Sequence, residues 1–136
     1  MPDIRRVVTN FLRYHGKILL LQRSQKVGTY QGVWAGCSGS IEDNEDPDER
    51  AVIEIEEETR LSKDQITLIR KGAPIKVIDE GRGITFIIHP YLWDIKTNQI
   101  QLDWEHINYK WIAPSEIKNF KTVPKLREVY DQVKDI

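Results

Sequence analysis

Three glutamates at helical spacing are the residues whose types and positions best suit chemistry. Glu54, Glu57 and Glu58 follow the spacing i, i+3, i+4, which projects their side chains from one face of a helix. Adjacent carboxylates repel one another, so the arrangement stabilises nothing by itself. A hard divalent cation takes oxygen ligands from carboxylates, water and phosphates, and would use these side chains as ligands. The spacing therefore indicates either a metal site or a solvated acidic helix face.

The element that must position these carboxylates is a predicted helix over residues 47–59. Pro47 suits a first helical turn, and Asp46 before it is a suitable N-cap. Ala51 and Ile55 supply apolar side chains with which the helix can pack against a core. The carboxylates are thus predicted to lie on a helix that the rest of the domain holds in place.

The other predicted elements are mostly strands. Apolar patterning and turn residues place strands at 6–14, 17–22, 33–38, 66–70, 75–79, 84–93, 100–102 and 109–112, a helical turn at 114–117 and a terminal helix at 124–133. His15 and Gly16 form the turn that makes the first two strands a hairpin. This order predicts one α+β domain over residues 1–136, with helices packed on a mixed sheet.

Composition excludes several classes of protein. The chain has 136 residues, of which 40% are hydrophobic and 30% charged, as expected of one globular domain. Its formal charge of −1 provides no field to attract duplex nucleic acid. No apolar run approaches the roughly 20 residues that span a bilayer, and the first residues lack a signal-peptide pattern. We expect a cytoplasmic protein without a membrane partner, and the sequence is compatible with a homodimer.

Residues 39–61 resemble the Nudix box, G-x5-E-x7-R-E-U-x-E-E-x-G-U, in which U is apolar. The matching residues are Gly39, Glu45, Glu54, Ile55, Glu57, Glu58 and Leu61. The segments 32–34 and 111–117 are also similar to the family, more loosely. The resemblance implies a Nudix-like α/β/α sandwich, with the mixed sheet between helices in a single domain.

Two residues depart from this motif. Ile53 replaces an arginine, and Arg60 replaces a glycine. Arginine at the first position could orient a neighbouring glutamate by a charge-assisted hydrogen bond, which isoleucine cannot do. Glycine at the second position favours a left-handed helix end, so Arg60 must adopt that conformation at some cost or end the helix differently. The first departure bears on activity and the second mainly on stability.

The resemblance implies a divalent-metal-dependent pyrophosphohydrolase. Such enzymes use Mg²⁺ or Mn²⁺ and water to cleave a nucleoside diphosphate linked to another group. Carried over to matching positions, Glu54, Glu57 and Glu58 are metal ligands and catalytic residues. Gly39 shapes the substrate loop, and Glu45 has a structural role. Substrates within this class include modified nucleoside triphosphates, dinucleoside polyphosphates and nucleotide sugars such as ADP-ribose.

Three residues outside these carboxylates are further candidates. Glu105 lies in a downstream loop, from which some family members supply a catalytic base or a further metal ligand. Arg23 could contact phosphate, and Trp34 could stack on a base, although ordinary surface and core roles are the alternatives. With Ile53 in the motif, a nucleotide sensor that does not hydrolyse its ligand is the main alternative function. An acidic interaction domain is the other.

Overall fold

The structure, a computed structural model, describes residues 3–134. The outermost residues of the predicted 1–136 domain therefore lie outside the described part. The elements in chain order are β1 Asp3–Tyr14, β2 Lys17–Arg23, β3 Trp34–Ala35, β4 Cys37–Ser40, α1 Pro47–Thr59, a 3-10 turn Lys63–Gln65, β5 Ile66–Lys71, β6 Ile75–Asp79, β7 Ile84–Ile95, β8 His106–Ile112, a second 3-10 turn Pro114–Asn119, and α2 Leu126–Asp131. No helix within residues 3–134 is long and apolar enough to cross a membrane.

All eight strands join one mixed sheet, which is organised around β1. Strand β1 runs parallel to β7 along one edge, and it pairs antiparallel with β4 and β2 along the other. Strand β2 also pairs with β3 and β8, whereas β7 pairs with β5 and β6. The predicted hairpin of β1 and β2 is confirmed, and both of its turn residues have positive φ, 50° at His15 and 79° at Gly16. Such turns match the twist of paired strands.

The sheet is covered on both faces, which confirms the predicted sandwich of helices around a mixed sheet. Leu19 and Leu21 of β2 face one core with Ile55 of α1, whereas Ile18 and Leu20 face a second core that includes α2. Side chains alternate between the two faces of a strand, so a strand buried on both sides is apolar at every position. The continuous apolar run of β2 follows from this double burial.

Three predicted elements differ from the structure. The predicted strand 33–38 is two short strands interrupted at Gly36, where a Cβ would lie 2.8 Å from the Asn10 carbonyl oxygen. Residues 100–102 form no strand: Ile100 and Leu102 pack against the first core, and the Gln101 N–H donates to the Thr59 carbonyl at the end of α1 instead of to a strand. The terminal helix begins only at Leu126, since the preceding Lys125 is left-handed with φ 61°.

Candidate active site

Helix α1 begins and ends through local interactions of its own sequence. The Asp46 side chain accepts a hydrogen bond from the Asp48 backbone N–H at 3.2 Å, and Pro47 occupies the first turn. At the other end Arg60 adopts φ 64°, and its N–H donates to the Glu56 carbonyl at 2.9 Å. A non-glycine residue in this region costs about 1–2 kcal/mol. Arg60 thus ends the helix as the motif glycine would, with added strain.

The three motif glutamates of α1 divide between the interior and the solvent. Glu54 is 7% exposed and Glu58 only 1% exposed, and they share the buried side of the helix with Ala51 and Ile55. Glu57 is exposed at the edge of that side. Charged carboxyl groups are rarely buried without partners. Two of the three carboxylates therefore occupy positions that would favour apolar residues if stability alone mattered.

Glu58 is the most deeply buried of these carboxyl groups. One oxygen, Oε1, accepts a hydrogen bond from the Ser38 backbone N–H at 3.3 Å. The other, Oε2, is buried and has no hydrogen-bond partner among residues 3–134. Burial, followed by the neighbouring carboxyl of Glu54, raises the pKa of Glu58 well above its usual range. Glu58 thus presents a buried oxygen with capacity for a further partner, as a ligand to a cation requires.

Glu54 packs directly against Gly39 at the tight end of β4. A Cβ at residue 39 would overlap the carboxyl group of Glu54. Burial, and repulsion from Glu57, raise the pKa of Glu54, whereas its contact with the Glu58 carboxyl and, to a smaller extent, the Arg50 guanidinium lower it. Residue 39 is therefore glycine because the Glu54 side chain lies so close to its backbone, and not because its φ is positive.

We expect Gly39→Ala to lower turnover about 100-fold while leaving the protein folded. The atom in the way is the end of a flexible side chain, so Glu54 can move aside, which preserves the fold but misplaces a carboxylate. Turnover and thermal unfolding would be measured in parallel. Gly28→Ala is the control, because a Cβ there meets nothing within 4 Å. Wild-type turnover in Gly39→Ala would contradict the positioning role of this glycine.

Arg50 connects the loop before α1 to one of the buried glutamates. Its Nη2 and Nε donate to the Glu45 carboxylate at 2.6 and 2.9 Å, and its Nη1 donates to Glu54 Oε1 at 3.2 Å. The hydrogen bonds from Arg50 lower the pKa of Glu45 below its usual value. Glu45 is therefore linked to the motif residue Glu54 through Arg50, at a position where the motif specifies no residue type.

The end of the loop before β8 and the first residue of that strand place three more titratable side chains, Asp103, Glu105 and His106, near the helix. His106 Nδ1 lies 2.9 Å from Asp103 Oδ1, and its Nε2 lies 3.5 Å from Glu58 Oε1. Burial lowers the pKa of His106. Glu105 is half-buried, and burial together with repulsion from Asp103 and Glu54 raises its pKa. The predicted downstream glutamate thus lies within the same acidic cluster as the helix carboxylates.

Arg23 lies at the end of β2, close enough to Glu105 and Glu58 for their charges to act on it. Its Nε and Nη2 both donate to the Thr29 backbone carbonyl, at 3.1 and 2.9 Å, which fixes the side chain beside the loop that follows β2. Burial lowers the pKa of Arg23, whereas the carboxylates of Glu105 and Glu58 raise it. Arginine remains charged in proteins. Arg23 therefore contributes a fixed positive charge beside an acidic group.

An open cavity of about 340 Å³ borders part of this cluster. Its polar end is lined by Arg23, Ser38, Gly39, Arg50, Glu54 and Glu105. Its floor consists of side chains from β1, β6 and β7, which include Val7, Val77, Phe86 and Ile88, and Tyr30 also lines it. Small-molecule sites typically combine an apolar surface with a few convergent polar groups at this volume. The cavity has the form of a site for a ligand with a charged and an apolar part.

The predicted site residues are distributed unequally around this cavity. The cavity is lined by Arg23, Gly39, Glu54 and Glu105. It is not lined by Trp34, Glu45, Glu57 or Glu58. Trp34 packs edge-on against Phe120, with ring centroids 5.4 Å apart, beside the core of α2. Side chains alternate along a strand, so Ala35 of β3 lines the cavity whereas Trp34 faces the second core on the opposite side of the sheet.

Sequence reasoning missed two residues of this site. Arg50 stands four positions before Glu54, a spacing that already favours an ion pair on a helix. Asp103 has no comparable local signal, because its contact with His106 places it in the cluster only when β8 pairs with β2. One residue was therefore accessible to sequence analysis and the other was not.

The acidic side chains fit a divalent cation only in part. Within residues 3–134, no three carboxylate, imidazole or thiol side chains lie close enough together to hold a metal ion by themselves. Glu58 nevertheless has an unpartnered buried oxygen, and Glu57 lies close enough to raise the pKa of Glu54 by repulsion. Mg²⁺ commonly binds through one or two carboxylates and completes its shell with water and phosphate. The residues fit such an ion in donor type, with water and phosphate supplying the remaining ligands.

Comparisons with known proteins agree on one family. A family model described as NUDIX domain matches residues 3–133. A C. elegans Ap4A hydrolase in a binary complex has a TM-score of 0.75 and 19% identity, covering 96% of this chain and 93% of that chain. No curated protein sequence matches this chain significantly.

Two further solved structures are similar over nearly their whole length. A MutT protein from Methanosarcina mazei Go1 has a TM-score of 0.76 and 22% identity, covering 96% of this chain and 92% of that chain. A MutT NUDIX hydrolase from Burkholderia pseudomallei has a TM-score of 0.78 and 22% identity, covering 97% and 99%. These similarities establish a common fold.

Proposed function

Since this chain belongs to the Nudix family, we propose that it hydrolyses a phosphoanhydride bond in a nucleoside diphosphate linked to a further group. The observation that carries this proposal is the buried acidic cluster at one end of a cavity with an apolar floor. Burying a carboxyl group such as Glu58 costs free energy. Binding of a cation, which in turn binds phosphate, would account for a carboxyl group at this position.

Glu54, Glu57 and Glu58 would hold the divalent ion, Mg²⁺ or Mn²⁺. When bound, such an ion neutralises phosphate charge, polarises the phosphorus centre and lowers the pKa of a bound water. Gly39 admits Glu54 to the polar end of the cavity, and Ser38 holds Glu58 through its backbone N–H. These residues would set the position at which the diphosphate is cleaved.

Glu105 is the residue proposed to move a proton during water attack. It lines the cavity together with Glu54, and burial raises its pKa, which favours a group that takes up a proton from water. Arg23 faces the same space and would neutralise part of the phosphate charge. Together Glu105 and Arg23 would act on the attacking and leaving oxygens.

The apolar end of the cavity would bind the nucleoside or its linked group. The rings of Tyr30 and Phe86 lie 6.3 Å apart there, and an aromatic ring can stack on any base. The similar structures described as an Ap4A hydrolase and as MutT proteins support three classes to be tested: dinucleoside polyphosphates, modified nucleoside triphosphates and nucleotide sugars.

The function is tested by incubating the purified chain with a panel of these three classes, in Mg²⁺, Mn²⁺ or chelator. We expect metal-dependent release of nucleotide and phosphate products. We also expect the turnover of Glu57→Gln to be at least about 100-fold lower than that of wild type. Glu56→Gln is the matched control, since it makes the same change of charge at a neighbouring exposed position. Reaction in ¹⁸O-water would show which phosphorus receives the oxygen.

Two other outcomes would favour other functions. Ligand binding without products in either metal would favour a nucleotide sensor. Failure to bind Mn²⁺ at all would favour an interaction domain whose acidic helix meets a basic partner. Equal turnover in wild type, Glu57→Gln and chelator would reject the metal-dependent mechanism.

A further inference from the structure

Arg50 is an arginine with two acidic partners at the edge of the proposed active site. Its side chain is only 16% exposed, and it bonds both oxygens of Glu45 as well as one oxygen of Glu54. A planar guanidinium bonded to a carboxylate at two points has a defined orientation. The third bond, to Glu54, therefore starts from a fixed donor and restricts where that carboxylate can lie.

Glu45 is itself held by the loop that precedes α1. Its Oε1 also accepts a hydrogen bond from the Glu42 backbone N–H at 2.6 Å, and the Glu45 N–H donates to the Glu42 carbonyl at 3.1 Å. The loop turn, Arg50 and the buried carboxylate of Glu54 thus form one connected chain of hydrogen bonds. Loss of any of these hydrogen bonds would therefore change the position of the Glu54 carboxylate or of the loop.

We propose that Arg50 is a positioning residue that holds Glu54 for metal binding and connects the loop before α1 to the site. In this role it replaces the arginine that the motif has at position 53, where this chain has isoleucine. Ile53 is 39% exposed and supplies no charge. Residues three apart on a helix are neighbours on its surface, so positions 50 and 53 approach the same region one turn apart. The proposal rests on the proposed function for its catalytic consequence, although the structural link is independent of it.

The test removes the guanidinium at one position and restores it at the other. We expect Arg50→Ala to lower kcat about 10- to 100-fold with KM little changed, and to weaken Mn²⁺ binding about tenfold, as for other residues that orient metal ligands. The double variant Arg50→Ala/Ile53→Arg should regain at least about a tenth of wild-type turnover, since it returns an arginine to a neighbouring surface position. Arg127→Ala, an exposed arginine of α2, is the matched control.

Two measurements do not depend on hydrolysis. Free Mn²⁺ can be followed by electron paramagnetic resonance, and the loop can be followed by its rate of cleavage after Glu42 and Glu45 by a glutamate-specific protease. Faster loop cleavage and weaker Mn²⁺ binding in Arg50→Ala, both reversed by Ile53→Arg, would support the proposal even if no panel substrate were hydrolysed. Wild-type Mn²⁺ binding and loop protection in folded Arg50→Ala would overturn it.

Discussion

Glu58→Gln should lower turnover about 1,000-fold or more and, in chelator, make the protein more stable at neutral pH. The variant removes a proposed metal ligand but keeps nearly the same side-chain volume. Wild type must bury a carboxyl group with one unpartnered oxygen, and when charged this group costs more than the about 1–3 kcal/mol of an unpaired neutral group. Loss of activity with gained stability distinguishes a functional residue from a structural one.

The gain in stability should depend on pH in a defined direction. Burial raises the pKa of Glu58 in the folded state above its usual value of 4.5. Between that value and the raised pKa, the folded state therefore binds more protons than the unfolded state, and the free energy of unfolding falls as pH rises. Glutamine does not titrate, so this fall in the free energy of unfolding is absent from Glu58→Gln. The stability difference between Glu58→Gln and wild type should be small below pH 4.5 and should grow as the pH rises above it.

Urea unfolding of both proteins from acidic to mildly alkaline pH, in chelator, measures this difference. Glu56→Gln serves as the control for loss of one glutamate, because residue 56 is exposed on the same helix. A Glu58→Gln protein that retained wild-type turnover would remove this residue from the active site. A stability difference independent of pH would show that Glu58 carries no unfavourable charge in the folded protein.

Asn10→Ala should lower the free energy of unfolding by about 3 kcal/mol or more. Asn10 is fully buried, and its Nδ2 donates to the carbonyls of Cys37 and Ala51, each at 3.2 Å. Its Oδ1 accepts from Trp93 Nε1 at 2.8 Å. Alanine leaves these buried groups without their partner, at about 1–3 kcal/mol for each, and opens a small cavity.

This side chain joins β1 to β4, β7 and α1, so its loss affects the support of the active-site helix. Chemical denaturation at neutral pH measures the effect, with Asn98→Ala as a control at an exposed loop position. The expected loss is a large part of the 5–15 kcal/mol that typically stabilises a domain. A change below about 1 kcal/mol would show that the three groups find other partners.

Helix α1 illustrates how far the sequence alone could be interpreted. Asp46 and Pro47 define its start, and its structure confirms that prediction, because capping depends on residues only a few positions apart. The hairpin of β1 and β2 was predictable for the same reason, since its turn is local. The break at Gly36 was not, because it depends on the approach of Asn10 from a distant strand.

The sequence by itself determined the family resemblance, the helix and the type of chemistry, since a motif and a helical repeat are properties of the chain. Only the tertiary structure decided that Glu54 and Glu58 are buried while Glu57 is exposed. Helical periodicity gives the direction of a side chain but not the element that covers it.

The same distinction explains Arg50 and Trp34. Spacing makes an Arg50–Glu54 pair feasible, but the bond to Glu45 depends on how the preceding loop folds back. The side chain of Trp34 faces the opposite side of the sheet from the cavity, where Phe120 packs against it. Contacts between residues distant in sequence form only when the strands pair, and those pairings determined which charged and aromatic side chains meet at the site.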